Sequence, residues 1–292
     1  MGANMSRRDF LKATGATGVA AAAGLGVAMA ARGAQTAPKE MPRIKLGALE
    51  VSRFILGSNQ FFGFAHSSGE RARAMKEYYT DERIVAIMDE AAALGITAVV
   101  APVYARWIAL WKKYAAGGGK LKSWISQPDK GELGTIEADI DASAKNGAAA
   151  VWIQGHQVEE TLDAGKGDVI KGWVEHMKKV GLPAGLASHR SHVLLECEKR
   201  GYGADFYAQC CYIPDEYKPE QRDKAMETIK ALPKPVIAYK VMAAARNKPE
   251  EAFQFVFKHI RPGDGVCVGV FPGDKPGILQ ENVSLVLKHS AK

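Results

Sequence analysis

The chain has 292 residues, a formal net charge of +7 and 47% apolar residues, the balance of a globular protein with a sizeable core. Its basic residues are scattered, with Arg71, Arg73 and the pair Lys112 and Lys113 as short runs, so neither a basic stripe nor an aromatic-interleaved one points to nucleic acid. The four cysteines, Cys197, Cys210, Cys211 and Cys267, lack metal-ligand spacing and read as buried free thiols, with no metal site expected.

The first segment reads as an address. Ser6-Arg7-Arg8-Asp9-Phe10-Leu11-Lys12 is followed by Ala13 to Ala31, which carries no charge and is mostly Ala and Gly. The run resembles a twin-arginine export signal, with Ala28-Met29-Ala30 as a small-x-small cleavage site. The uncharged stretch is long enough to span a bilayer, but its Gly and Ala content makes it a poor anchor. The expectation is recognition by the twin-arginine export machinery, cleavage near Ala30 and delivery to the periplasm as a soluble protein without a stable membrane anchor. Cleavage there leaves 262 residues, the size of one α/β barrel. Twin-arginine export carries folded proteins, so a cofactor acquired before export is compatible with it.

Residues 31–41 read as a linker and 42–292 as one domain. A short hairpin, Arg43 to Leu46 and Val51-Ser52 around Gly47, leads into an apolar strand at Phe54-Ile55-Leu56. The next helix starts at Thr80-Asp81-Glu82, a capping residue followed by first-turn carboxylates, and stops at Gly95. Strands follow at 97–101, 122–126, 149–153, 184–187, 206–211, 235–239 and 265–270. Between and after them lie helices near 107–116, 135–146, 168–180, 193–200, 221–231, from Pro249 onward, and 276–289. Eight short, nearly continuous apolar strands alternating with amphipathic helices imply parallel strands covered on their outer face. They close most simply into a (β/α)8 TIM barrel with an N-terminal β-hairpin. An open doubly wound sheet is the alternative, but Leu56-Gly57-Ser58-Asn59-Gln60 is not its usual Gly-rich turn.

In a barrel, chemistry sits at the carboxyl ends of the strands. Those ends carry Asn59 and Gln60, Tyr104 and Arg106, Gln127, Gln154 and His156, Ser188 and His189, Gln209 and Tyr212, Lys240, and the loop from Phe271 to Asp274. Tyr104, His156, His189 and Lys240 are the titratable groups expected to converge as a reactive centre. Lys240 leaves an apolar strand; it is read as a cofactor-phosphate or carboxylate holder, a Schiff-base amine, or a salt-bridge partner. Asn59, Gln60, Phe62, Arg106, Gln127 and Gln154 are the expected substrate contacts. The segment from Ser58 to Tyr79 reads as a long, aromatic-rich loop that binds or covers a ligand.

Several stretches are similar to the aldo-keto reductase superfamily: Ile44-Lys45-Leu46-Gly47 with Val51 to Gly57, Gly185 to His189, Gln209-Cys210-Cys211-Tyr212, Val236 to Tyr239, and Val270-Phe271-Pro272-Gly273 with Gln280-Glu281-Asn282. The match runs from Pro42 to Lys292, in a divergent bacterial branch. The resemblance implies a barrel oxidoreductase that acts on a small carbonyl or polyol, sugar-like, with NADP(H). Gln209 would meet the nicotinamide carboxamide, Tyr212 its ring, and Glu281 and Asn282 the adenine. Ser188, Lys240, Pro272 and Gly273 would complete the cofactor set. The family's Asp-Tyr-Lys-His tetrad departs here: its slots fall on Val100, beside Tyr104, on Ser126 or Gln127, and on Gln154 or Gly155, with His156 late. Two readings without a nicotinamide therefore stand beside it. One is a cofactor-free lyase, isomerase or aldolase using Lys240 with His156 or His189. The other is a periplasmic small-ligand binding protein.

Overall fold

The computed structural model describes residues 40–290. The export segment and all but the end of the linker lie outside the described residues. Met41, at that end, is buried in the core.

An antiparallel hairpin, β1 (Arg43–Leu46) and β2 (Leu49–Ser52), precedes eight parallel strands. These are β3 (Phe54–Gly57), β4 (Ala98–Pro102), β5 (Ser123–Gln127), β6 (Ala150–Ile153), β7 (Ala184–Ser188), β8 (Phe206–Cys210), β9 (Val236–Tyr239) and β10 (Gly265–Gly269). They close into a barrel in sequence order, with β10 pairing β3. The outer helices are α1 (Gly69–Tyr78), α2 (Asp81–Ala93), α3 (Ala105–Ala116), α4 (Ile136–Lys145), α5 (Gly155–Asp163), α6 (Gly167–Lys179), α7 (Ser191–Lys199), α8 (Pro219–Ala231), α9 (Pro249–His259) and α10 (Ile278–His289). The fold is the (β/α)8 barrel with N-terminal hairpin that the apolar periodicity implies.

Alternation along the strands splits the core into two layers. Ile55, Val100, Ile125, Trp152, Ala187, Phe206, Ala208 and Ile237 fill the barrel, joined by Ile44, Leu46 and Val51 of the hairpin. Phe54, Leu56, Val99, Trp124, Val151, Leu186 and Tyr207 face outward and pack under the helices. The hairpin thereby contributes its apolar side to the barrel interior. Gly185 is required there: a Cβ at that position would lie 2.5 Å from the Phe206 ring.

Two elements depart from the sequence reading. The segment from Ser58 to Tyr79 is not an open loop but a 3-10 turn (Asn59–Phe62) followed by α1. Helix α1 is polar nearly all round, burying only Met75, so no apolar stripe announces it. Its start is fixed by Ser68, whose hydroxyl accepts from the Arg71 amide at 3.2 Å. Helix α5 begins directly after β6 and has nine residues, too short for periodicity to register. All four cysteines are buried free thiols, as expected.

Candidate functional site

A cavity of about 630 Å³ opens at the carboxyl end of the barrel. Its lining includes Tyr104, His189 and Lys240 from the expected reactive centre, Asn59, Gln60, Gln127 and Gln154 from the expected substrate contacts, and Asn282 from the expected cofactor set. Strand parity explains part of this. Trp152 and Tyr239 share the inward parity of Ala150 and Ile237, and both line the cavity. Their rings lie 6.0 Å apart.

Lys240 follows β9 with φ +56°. That left-handed step breaks the strand's alternation, costs about 1–2 kcal/mol for a residue with a Cβ, and leaves the side chain on the cavity wall. Ala243, Ala244 and Ala245 just beyond are left-handed as well, at φ +47°, +53° and +70°. Among the described residues no carboxylate lies within ion-pair distance of Lys240. Burial lowers its pKa from the ordinary lysine value, against an opposing pull from Cys210 and Asp215.

His189 is held by Glu159, a residue that the sequence did not single out. Glu159 projects from α5, and its Oε1 lies 3.4 Å from His189 Nδ1. The same oxygen accepts from the Ser188 hydroxyl at 2.7 Å, from the Arg190 amide at 3.2 Å and from the His189 amide. Burial opposes the charge on Glu159, but the His189 and Ser188 bonds outweigh it and bring the pKa down to about 2. A carboxylate on Nδ1 leaves Nε2 as the nitrogen available for proton transfer, and it fixes the ring's orientation. The imidazole also packs edge-on to Tyr239, with centroids 5.9 Å apart.

Tyr104 caps α3 and donates to Asp129 Oδ2 at 2.7 Å. Burial, then the Asp129 bond, raises its pKa, the reverse of a tyrosine tuned to give up its proton. His66 also lines the cavity, 3.4 Å from the Asn59 side-chain nitrogen. Burial foremost, then the Lys240 charge, lowers its pKa to about 4, so the imidazole is neutral at pH 7. Asp129 joined the site without a sequence signal beyond its place after β5, His66 lies in the segment expected to bind or cover a ligand, and Tyr239 closes β9.

The other expected site residues point elsewhere. His156 turns along α5 onto Gln157, at 2.7 Å between side-chain nitrogens, and so shares no pocket with His189. Phe62 packs against Tyr104 and Trp107. Arg106 bridges Asp81 at 2.9 Å and the Tyr79 carbonyl. Ser188 and Gln209 have the outward parity of Leu186 and Tyr207. Ser188 is spent on Glu159, and the Gln209 amide donates to the Cys210 carbonyl at 3.0 Å. Tyr212 is buried against Tyr217, its hydroxyl accepting from Asn247 at 2.8 Å. Pro272 and Gly273 turn outside the lining while Phe271 and Asp274 enter it. Glu281 pairs outward with Lys275 at 2.7 Å. Of the groups expected around a nicotinamide nucleotide, only Lys240 and Asn282 reach the cavity. The ring-binding pair does not, so the residues present do not fit that cofactor as expected.

Among the described residues no group of acidic, His and Cys side chains could hold a metal ion, and no helix is long and apolar enough to cross a membrane. Comparison with known proteins adds two findings. The twin-arginine translocation pathway signal sequence family matches residues 4–31, so the chain carries an export signal. The barrel resembles a Pseudomonas aeruginosa protein assigned as an aldo-keto reductase, at TM-score 0.61 and 18% identity over 86% of this chain and 94% of that one.

The shared fold is the (β/α)8 barrel.

A Bacillus halodurans aldo-keto reductase superposes at TM-score 0.52 and 16% identity, over 86% of this chain and 96% of that one. A truncated 3-deoxy-D-arabino-heptulosonate 7-phosphate synthase from Thermotoga maritima does so at 0.54 and 12%, over 86% and 92%. Identities this low carry the fold and nothing about chemistry. No curated protein matches in sequence.

Proposed function

We propose that this exported barrel is an enzyme that forms a Schiff base between Lys240 and a small carbonyl compound, in the manner of a lyase, aldolase or isomerase. The observation that carries this reading is Lys240 itself: a desolvated amine with no carboxylate partner among the described residues, on the wall of a cavity that also holds the Glu159-supported His189. A neutral amine at the carbonyl carbon adds its lone pair there, and the carbonyl oxygen takes up protons and leaves as water. The resulting iminium nitrogen accepts the electron pair of a neighbouring C–C or C–H bond as that bond breaks. His189, whose Nδ1 faces Glu159, would carry the protons through Nε2.

Reduction of a small carbonyl with NADP(H) is the second reading. The shared fold and the presence of Asn282 and Lys240 among the residues lining the cavity favour it; the positions of Gln209 and Tyr212 weigh against it.

The experiment is borohydride trapping. The mature protein, incubated with glyceraldehyde or pyruvate and reduced, should gain the mass of the reduced adduct on the peptide containing Lys240, and Lys240→Arg should gain none. Absence of any adduct, together with calorimetric binding of NADPH or NADH, would overturn the amine reading in favour of the nucleotide one.

A further inference from the structure

In a (β/α)8 barrel the strands start and the outer helices end on one face, and the cavity opens on the other. The hairpin covers the first face: a Cβ on Gly47 would lie 3.3 Å from both Pro183 and Asp205, which precede β7 and β8. Basic residues far apart in the sequence are gathered there. Lys113, Lys145, Lys179, Lys199, Lys230 and Lys258 occupy the last turns of α3, α4, α6, α7, α8 and α9. All six are exposed, and none has an ion-pair partner among the described residues.

A cation at a helix end offsets the helix dipole, which accounts for those six. It does not account for Arg43 and Lys45, on the exposed side of β1 while Ile44 and Leu46 fill the barrel. Nor does it account for Lys120 and Lys234, exposed in the loops before β5 and β9. Several carboxylates of this face are already engaged. Asp205, Asp264 and Glu196 bridge Lys178, Arg261 and Arg200 at 3.1, 2.8 and 2.6 Å, while Glu40, Glu50 and Asp89 remain exposed. Helix starts, on the cavity face, carry carboxylates instead: Asp81, Glu137, Asp168, Glu220, Glu251 and Glu281. The barrel is thus polarised along its axis, positive at the hairpin and negative around the cavity.

Three features say what the positive face fits. Its cations spread over a whole face, which matches an extended sheet of negative charge. They are nearly all lysines, point charges on flexible stems, which suit a diffuse layer of phosphates better than bidentate docking. The described chain also begins there. A Cβ on Gly95, just past α2, would lie 3.0 Å from the Met41 Cβ, and the residues before Met41 lead back to the export signal at 4–31, a segment addressed to a membrane. The exposed large apolar side chains, Phe64, Leu133 and Val169, follow β3 and β5 or open α6, on the cavity side, so they give this face no wedge for hydrocarbon.

We infer that the hairpin face docks on the headgroups of an anionic lipid bilayer, by charge alone and reversibly, which turns the cavity mouth toward the aqueous side.

Sedimentation of the mature protein with vesicles tests this. Binding is expected to vesicles of phosphatidylglycerol and phosphatidylcholine in equal parts and not to phosphatidylcholine alone. It should vanish as salt rises from about 0.1 M to about 1 M, which shortens the screening length from about 10 Å to about 3 Å. Each lysine near an anionic leaflet strengthens binding about fivefold, so Lys45→Glu, Lys120→Glu and Lys234→Glu together should weaken it by about a hundredfold or more. The same charge change on the cavity side, Arg73→Glu with Lys76→Glu and Lys166→Glu, should leave it nearly unchanged. Helix α6, with 13 residues, separates the two faces by about 20 Å, more than a screening length. All six side chains are exposed, so circular dichroism and melting temperature should not change. Equal loss in the two triple variants, binding to phosphatidylcholine alone, or binding that survives high salt would overturn the proposal. Tighter binding to a DNA duplex than to the vesicles would also overturn it, since the face would then be a general polyanion site.

Discussion

Glu159→Gln tests whether a single carboxylate holds the His189 side of the site together. The side chain of Glu159 is 12% exposed, so solvent screens it little, and its pKa of about 2 lies well below the ordinary 4.5. A depression of that size corresponds to about 3 kcal/mol of stability. Because the folded pKa is the lower one, this contribution is complete above the unfolded value and is lost as pH falls toward the folded value. At pH 3, between the two, roughly half of it remains. Glutamine keeps the shape and one accepting oxygen but has no charge to lose. Urea denaturation of the mature protein should therefore find Glu159→Gln about 3 kcal/mol less stable than wild type at pH 7, with the gap roughly halved at pH 3. Contributions from titrating groups that do not touch Glu159 cancel in the difference. Equal stability at pH 7, or a gap that does not shrink on acidification, would refute the assignment of this energy to the Glu159 charge.

Three further outcomes are expected. In Gly155→Ala the new Cβ would sit 2.9 Å from His189 Nδ1, so it should displace the imidazole from Glu159 and slow borohydride trapping at least tenfold with the circular dichroism unchanged; an unaffected rate would remove His189 from the chemistry. Ala244→Gly, at φ +53°, should stabilise the fold by roughly 1 kcal/mol by relieving a left-handed alanine, and a fall in melting temperature would contradict that. Changing Arg7 and Arg8 together to Lys should leave the precursor in the cytoplasm on cell fractionation, whereas efficient periplasmic delivery would refute the reading of the paired guanidinium groups.

Much of the architecture was legible because local rules agree with the global fold. The apolar runs from Phe54 to Val270, alternating with amphipathic helices, specify parallel strands under a helical layer. Strand ends agree with the sequence reading to within about two residues, and Thr80 caps the helix it was expected to cap. Where a signal is absent the reading fails for a definite reason. Helix α1 has no apolar stripe, and α5 is too short to show one. With α5 hidden, Glu159 had no place near a strand end, so its contact with His189, 30 residues further along the chain, could not be anticipated.

The site divides along the same line. The export signal is a sequence pattern, so Arg7 and Arg8 declare themselves in the sequence alone. Which polar groups end each strand is likewise a property of the sequence. Whether such a group faces the cavity is not. It depends on strand parity and on single backbone steps, since one residue of offset reverses a side chain's direction. Parity turned Ser188 and Gln209 outward and Tyr239 inward. The start of α5 carried His156 away, and one left-handed residue brought Lys240 onto the wall. The amino-acid sequence determined the export route, the barrel and its polar rim. Tertiary structure alone selected, from that rim, the lysine and the histidine that share one cavity, because convergence requires closing the barrel and no local rule encodes it.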